Sequence, residues 1–255
     1  MDKGPYGQPV DTSDNFLVNR ENQILAMAAD AGLQQKAIDL QIDAHKHGFG
    51  YQQLWCGVPI IRLPEDIVLI QEIIFELKPA CVVETGVARG GSLILNASLM
   101  EMAGLVPAVL GIDIQIFQHA QDALRASRFS KSIEVFQSDS ASREAVLVTD
   151  QFIRKHRGPG SVLLILDSNH AHDHVLRELQ SLTPLLPPKS IVIVADTIVE
   201  SMPDHLYENR PWGKGNNPLT ALKQFLAEVD DWEPDRRWNQ RGLLSELRNG
   251  VIQRR

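Results

Sequence analysis

The stretch LILDSNHAHDHV, from Leu164 to Val175, sets two aspartates and three of the chain's eight histidines directly behind an apolar run. Carboxylate and imidazole are donor types of metal centres, and they are also the usual partners in general acid–base catalysis near neutral pH. Further acids stand at the ends of other apolar runs: Glu84 in CVVET, Asp113 in GIDI and Asp196 in IVIVAD. A glycine-rich turn, ETGVARGGS, follows the first of these runs, and Gly86 to Gly91 fit a loose G-x-A-x-x-G spacing. Such a turn brings backbone N–H groups at a helix start to the negative end of a ligand.

These residues need a scaffold that gathers strand ends. Short apolar runs at 80–85, 108–114, 133–137, 162–167 and 191–196 read as strands, with helical patterns near 91–103, 118–127, 141–156 and 172–186 between them. Repeated strand–helix–strand units predict an α/β fold with a mainly parallel sheet and helices on both faces. In an open sheet of that kind ligands bind at the carboxyl ends of the strands, so Glu84, Asp113, Asp167 and Asp196 would face one crevice.

Upstream, Glu21 to His45 has helical periodicity for one long or two short helices, and GFGYQQLWCGVPIIRLP (48–64) reads as a structured loop. Pro64 opens a helix with Glu65 and Asp66 in its first turn. Near the end, Asn217 caps a helix that Pro218 begins, and Asn249-Gly250 signals a closing antiparallel hairpin. The expected division is an N-terminal arm and helical segment over 1–50, followed by one domain over 51–255.

Composition narrows the partners. A net charge of −7 with interspersed signs offers no basic stripe for nucleic acid. No run is long and apolar enough to span a membrane, and MDKGPYGQPVDTSDNF lacks the apolar core of a signal peptide, so a cytoplasmic protein is expected. Cys56 and Cys81 match neither a disulfide framework nor a zinc motif.

The ligand of the crevice follows from its charge. Glu84, two residues ahead of Gly86, would stand close to a dinucleotide pyrophosphate and repel it. It suits S-adenosylmethionine, whose sulfonium and ammonium make the molecule net cationic while its carboxylate meets the N–H groups of the turn. Gly86 and Gly90 shape that turn. Asp113 is placed to accept the ribose hydroxyls, and Asp139, with Ser140 beside it, to reach the adenine amino group. An NAD-linked oxidoreductase shares the sheet and the acid at Asp113, and a non-catalytic S-adenosylmethionine-binding protein shares the whole crevice; both stay open at this point.

The segments YQQLWCGVPIIRLPEDI (51–67), QEIIFELKPACVVETGVARGGS (71–92), GIDI (111–114), DSNHAHDHVLRELQSLTPLL (167–186), IVIVADTIV (191–199) and RPWGKGNNPLTALKQFL (210–226) together resemble the cephalosporin hydroxylase family. Despite that name its members are mainly S-adenosylmethionine-dependent O-methyltransferases, among them enzymes of cephamycin 7-methoxylation and rhamnosyl O-methyltransferases. The resemblance implies a Rossmann-like class I methyltransferase fold with a seven-stranded sheet. It implies cofactor binding by Glu84, Gly86, Ser92, Asp113 and Asp139, with Asp167 at the crevice. It also implies a small-molecule hydroxyl acceptor and assembly into a homo-oligomer, with the N-terminal helical segment as contact surface.

Family members often hold Mg2+ with an aspartate at the Asp167 position and a Glu-Asp pair after the next strand. Here the pair reads Ala195-Asp196, one carboxylate short, which leaves Asp167 and Asp196 as metal ligands. An Fe(II) oxygenase would need a His/His/carboxylate triad, which the spacing does not supply. The catalytic residues expected are Asp167, orienting the acceptor, and His170 as general base; His172 and His174 are read as facing solvent or packing the helix. Tyr51, Trp55, Tyr207 and Trp212 fall in irregular segments suited to an acceptor pocket or lid.

Overall fold

The computed structural model describes residues 15–255. The rest of the N-terminal arm, including most of the segment judged to lack a signal peptide, lies outside the described residues. Two helices, α1 (Phe16–Ala29) and α2 (Ala31–His45), replace the single long helix that periodicity also allowed. They part at Asp30, whose side chain caps α2 by accepting from Leu33 N at 2.9 Å.

The segment expected as a loop is in part a hairpin, β1 (Gln53–Trp55) and β2 (Val58–Ile60), paired antiparallel. Its turn is Cys56-Gly57, with φ of 50° and 82°. Two positive φ values are what a tight two-residue hairpin turn requires, and a cysteine in the first place hides the signal that Asn-Gly would give. Trp55 is an anchor here, its Nε1 donating to Ser98 Oγ at 2.9 Å.

After α3 (Pro64–Leu77) the chain alternates β3 (Cys81–Thr85), α4 (Gly91–Met102), β4 (Val109–Asp113), α5 (Gln118–Ala126), β5 (Ile133–Gln137), α6 (Arg143–His156), β6 (Val162–Leu166), α7 (His172–Leu182) and β7 (Ile191–Val194). It closes with α8 (Pro218–Glu228), β8 (Trp232–Pro234), α9 (Arg236–Asn239) and β9 (Val251–Arg254). The seven-stranded sheet runs β5-β4-β3-β6-β7-β9-β8, with β3 to β7 parallel and β9 antiparallel to both of its neighbours.

Alternate residues of each central strand enter opposite cores. Val82, Leu163 and Ile165 pack with α3, α4 and α5, whereas Cys81, Val83 and Leu164 pack with α6, α7 and α8. Buried Cys81 has its thiol pushed up to about 12 by desolvation, as befits an inert core residue.

The closing hairpin differs from its sequence reading. Asn249-Gly250 does not join β8 to β9; it turns the chain into β9, and the partner strand β8 lies before α9. Gly250 is there because a Cβ would come 2.3 Å from Val194 O. Strand order reverses between β3 and β6, so the carboxyl ends of these two strands open the crevice in which a ligand is expected.

Two local devices aim the surrounding loops. Asn217 accepts from Leu219 N and Thr220 N in a capping box at the start of α8, and its Nδ2 donates to Glu200 Oε2 and Gly213 O. Asn217→Ala should therefore cost about 1–2 kcal/mol, read as a shift in urea midpoint with unchanged slope. The acids in the first turn of α3 hold the segment before β9: Glu65 accepts from Leu243 N and Leu244 N, and Asp66 from Ser245 Oγ and Glu246 N.

Candidate active site

At the end of β3, Gly86 has φ +92° and donates its N–H to Ile112 O at 2.7 Å. A Cβ at this position would sit 2.0 Å from the Asp167 carbonyl oxygen, so the turn after β3 and the turn after β6 touch here through glycine. Gly90, at φ +86°, is the N-cap residue ahead of α4, and a Cβ on Gly91 would sit 2.3 Å from Pro59 O. Asp113, from the end of β4, accepts from Val87 N at 2.7 Å, Ala88 N at 3.3 Å and Gln115 N at 3.0 Å. It holds the glycine turn in shape.

A cavity of about 410 Å³ opens over this turn. Glu84, Gly86, Ser92, Asp167, His170 and Asp196 all line it; Gly90, Asp113, Asp139 and Ser140 are not among its lining residues. Asp139 accepts from Ala141 N, while Ser140 Oγ lies 3.0 Å from His174 Nε2.

The cavity is also lined by a residue that sequence reading passed over. Arg62 is 2% exposed, and its Nη2 donates to Glu84 Oε1 at 3.2 Å and Asp167 Oδ2 at 3.1 Å. Burial alone would lower its pKa, but Asp167 and Glu84 outweigh that and hold it charged. Glu84 also accepts from Asn96 Nδ2 at 2.7 Å, so each of its oxygens is engaged. Burial still raises Glu84 to about 7, with Arg62 opposing, and raises Asp167 to about 6, with Arg62 opposing and Asp196 adding to the rise. The signal for Arg62 was a single charge inside the apolar run VPIIRLP.

Across from it, His170 Nε2 lies 3.0 Å from Asp196 Oδ2, and its ring meets Trp212 edge-on at 4.9 Å. Burial works against the imidazolium, but Asp196 prevails and raises His170 to about 9. For Asp196 burial works upward, and His170 overrides it and lowers the carboxyl. Asp196 sits at φ +53°, a left-handed conformation that a non-glycine residue adopts at a cost and that aims the carboxylate inward from the end of β7. One ligand atom from each of Asp167, His170 and Asp196 lies within 4.8 Å of the others.

The three histidines part company. His172 Nδ1 lies 2.8 Å from Thr220 Oγ1 and Nε2 2.9 Å from Gln224 Oε1, joining α7 to α8. His174 Nε2 lies within reach of Ser140 and Ser168, and Ser168 Oγ donates to Glu178, linking the loops after β5 and β6. Only His170 of the three faces the cavity. Of the loop aromatics, Tyr51, Tyr207 and Trp212 line it and Trp55 does not. Glu246 and, from α2, Gln41 and His45 complete the wall. Sequence reading missed all three. The signal for Gln41 is an amide on the apolar stripe of α2, one turn after Ala37.

Residues 47–255 match the family described as rhamnosyl O-methyltransferase/CmcI. The rhamnosyl O-methyltransferase of Mycobacterium tuberculosis (strain H37Rv) is 30% identical over 199 residues, 78% of this chain and 76% of the relative. That of Mycobacterium leprae (strain TN) is 33% identical over 150 residues, 58% of this chain and 62% of the relative. Among solved structures, CmcI with Mg and SAM is similar with a TM-score of 0.55 at 22% identity, over 80% of this chain and 77% of that one. CmcI with SAH gives 0.54 at 22% identity, over 79% and 82%. These structures share the fold. No helix among the described residues is long and apolar enough to cross a membrane. The family match sets the NAD-linked reading aside: the chain belongs to the rhamnosyl O-methyltransferase/CmcI family and is an S-adenosylmethionine-dependent O-methyltransferase with a small-molecule acceptor.

Proposed function

We propose that the protein methylates a hydroxyl of a sugar carried by a small natural product, with S-adenosylmethionine over the glycine turn and the acceptor between His170, Asp196 and the aromatic wall. The observation that carries this reading is the convergence of Asp167, His170 and Asp196 within 4.8 Å beside the cofactor crevice. The mycobacterial relatives are named rhamnosyl O-methyltransferases, which supports a sugar acceptor. Tyr207 and Trp212 line the cavity with aromatic surface suited to a sugar's C–H side, and Asp196 offers an acceptor for its hydroxyls.

In this reading Gly86 and Ser92 meet the cofactor's amino-acid end, Asp113 keeps the turn in shape for the ribose, and Asp139 with Ser140 borders the adenine. Buried Glu84 and partly exposed Asp167, only partly balanced by Arg62, favour a cationic sulfonium. The acceptor oxygen attacks the methyl carbon in line as the carbon–sulfur bond breaks; the hydroxyl proton passes to His170 Nδ1, the ring nitrogen not engaged in donating to Asp196, leaving a methyl ether and S-adenosylhomocysteine. Alignment supplies much of the rate.

Asp167 and Asp196 fit a hard divalent cation such as Mg2+: their carboxylates converge, and two protein oxygens completed by water and acceptor oxygens are a common set for that ion. Bound there, Mg2+ would supply Lewis-acid polarisation of the acceptor oxygen. Ala195, buried and without a donor, adds nothing to the set.

We further read the protein as a cytoplasmic homo-oligomer. Phe16, Leu17, Val18 and Leu25 of α1 and Leu40 of α2 are exposed, which supports a contact surface, and two unpaired cysteines agree with a reducing compartment. The test of function is mass-spectrometric detection of a methyl ether after incubation with S-adenosylmethionine and an alkyl rhamnoside. His170→Ala should lower kcat by about 10²–10⁴ with S-adenosylhomocysteine affinity retained. Without added divalent cation the wild-type rate should climb with pH, because the base form of His170 fills only as pH rises through its value of about 9. A variant as fast as wild type would remove His170 from the mechanism.

A further inference from the structure

The family match begins at residue 47, but the cavity wall begins earlier. α2 lies upstream of the shared region and brings Gln41 and His45 to the cavity. Gln41 is only 6% exposed, and its Nε2 is buried with no hydrogen-bond partner among the described residues. A buried amide N–H group without a partner is costly to fold, and such groups are rare in native proteins. A bound molecule with an oxygen lone pair would offset that cost.

Position narrows the ligand. α2 meets the segment before β9, where Arg248 Nη1 donates to Gln34 Oε1 at 2.8 Å, two turns ahead of Gln41. Just past the helix, Gly50 lies against Glu246, whose Oε1 would be 3.1 Å from a Cβ at that position. The Glu246 carbonyl in turn accepts from Ile198 N and Thr197 Oγ1, directly after Asp196. Gln41 lines the same cavity as Asp196 and Glu246. The acids Glu84, Asp167, Asp196 and Glu246 share the lining with Arg62, Arg89 and Arg210, so the cavity has no one-signed charge to call for an ionic acceptor. A neutral hydroxyl or ring oxygen suits a lone amide donor.

We infer that Gln41 is an acceptor-recognition residue that donates its Nε2–H to a neutral sugar oxygen, and that α2, upstream of the family match, is a specificity element of the site. The inference rests on the sugar-acceptor reading above. It explains why a helix outside the family match carries a polar residue on its buried face.

The test is calorimetric titration of methyl α-L-rhamnopyranoside into the full chain saturated with S-adenosylhomocysteine, for wild type and Gln41→Met. The methionine keeps the volume and removes the donor. Rhamnoside affinity should fall about tenfold to a hundredfold, the loss expected when a ligand oxygen faces an apolar group. Affinity for S-adenosylhomocysteine should hold, and Tm should stay level or rise, because the unpaired amide is gone. Rhamnoside affinity within about twofold of wild type would overturn the inference. So would a fall in Tm with loss of S-adenosylhomocysteine binding, which would make Gln41 a structural residue. Wild-type protein that binds S-adenosylhomocysteine but not the rhamnoside would overturn both the inference and the sugar reading, leaving the methyltransferase assignment intact.

Discussion

Replacing Arg62 with methionine should cost about 3–5 kcal/mol of stability at pH 8, because it strands buried Glu84 and partly exposed Asp167 without their counter-ion. Arg62 is the charged group hydrogen-bonded to both Glu84 and Asp167, and it comes from the loop after β2 rather than from either strand that bears the acids. The loss should depend on pH. Glu84 and Asp167 have folded values raised to about 7 and about 6, above the roughly 4 of the unfolded chain. A raised carboxyl holds more protons folded than unfolded, so its contribution to stability declines as pH climbs from about 4 towards the folded value. Without Arg62 the folded values move higher still, and the deficit widens from pH 5 to pH 8. Urea midpoints at the two pH values check this; an equal shift at both would mean that Arg62 is not the counter-ion.

Gly86→Ala should be the most damaging change at the cofactor turn. The φ of +92° disfavours any side chain, and the new Cβ would meet a backbone carbonyl at 2.0 Å, which no side-chain rotation relieves. Either the turn after β3 or the turn bearing Asp167 must move. A shift of about 1 Å at that contact misplaces both cofactor and acceptor groups, and should lower kcat/KM by about a hundredfold or more. Stability should drop by about 2–4 kcal/mol, in the range of backbone strain combined with a steric clash. Kinetics alongside thermal melts separate the two effects, and an alanine variant with wild-type kcat/KM would show that the two turns are not in the contact described.

The parallel strands were legible because each is a short apolar run ended by an acid or a turn. The run expected at 133–137 is β5 to the residue, and that at 80–85 begins one residue before β3. Asp167, His170 and Asp196 were legible too, since all three stand at or just past strand ends that the sheet must bring together. What stayed hidden depends on contacts between distant segments. Arg62 reaches Asp167 across more than a hundred residues of sequence, and nothing local in VPIIRLP says which carboxylates it will meet. Gln41 and Glu246 enter the cavity from a helix and a loop at opposite ends of the chain. The hairpin at 53–60 was missed because its turn is Cys-Gly, and Asn249-Gly250 misled because the sheet takes β9 between β7 and β8. Asp113 shows a subtler limit: spacing placed it at the right strand end, while its hold on Val87 and Ala88 N–H is visible only in three dimensions.

The central claim is that the crevice at the ends of β3 and β6 is a site for S-adenosylmethionine. Calorimetric titration of S-adenosylhomocysteine into the wild-type protein, with NAD+ titrated in parallel, tests it most directly. The account predicts saturable binding of S-adenosylhomocysteine at one site per chain, weakened in Gly86→Ala, and no heat from NAD+ beyond dilution. Absence of S-adenosylhomocysteine binding at millimolar concentration, or tighter binding of NAD+, would contradict it.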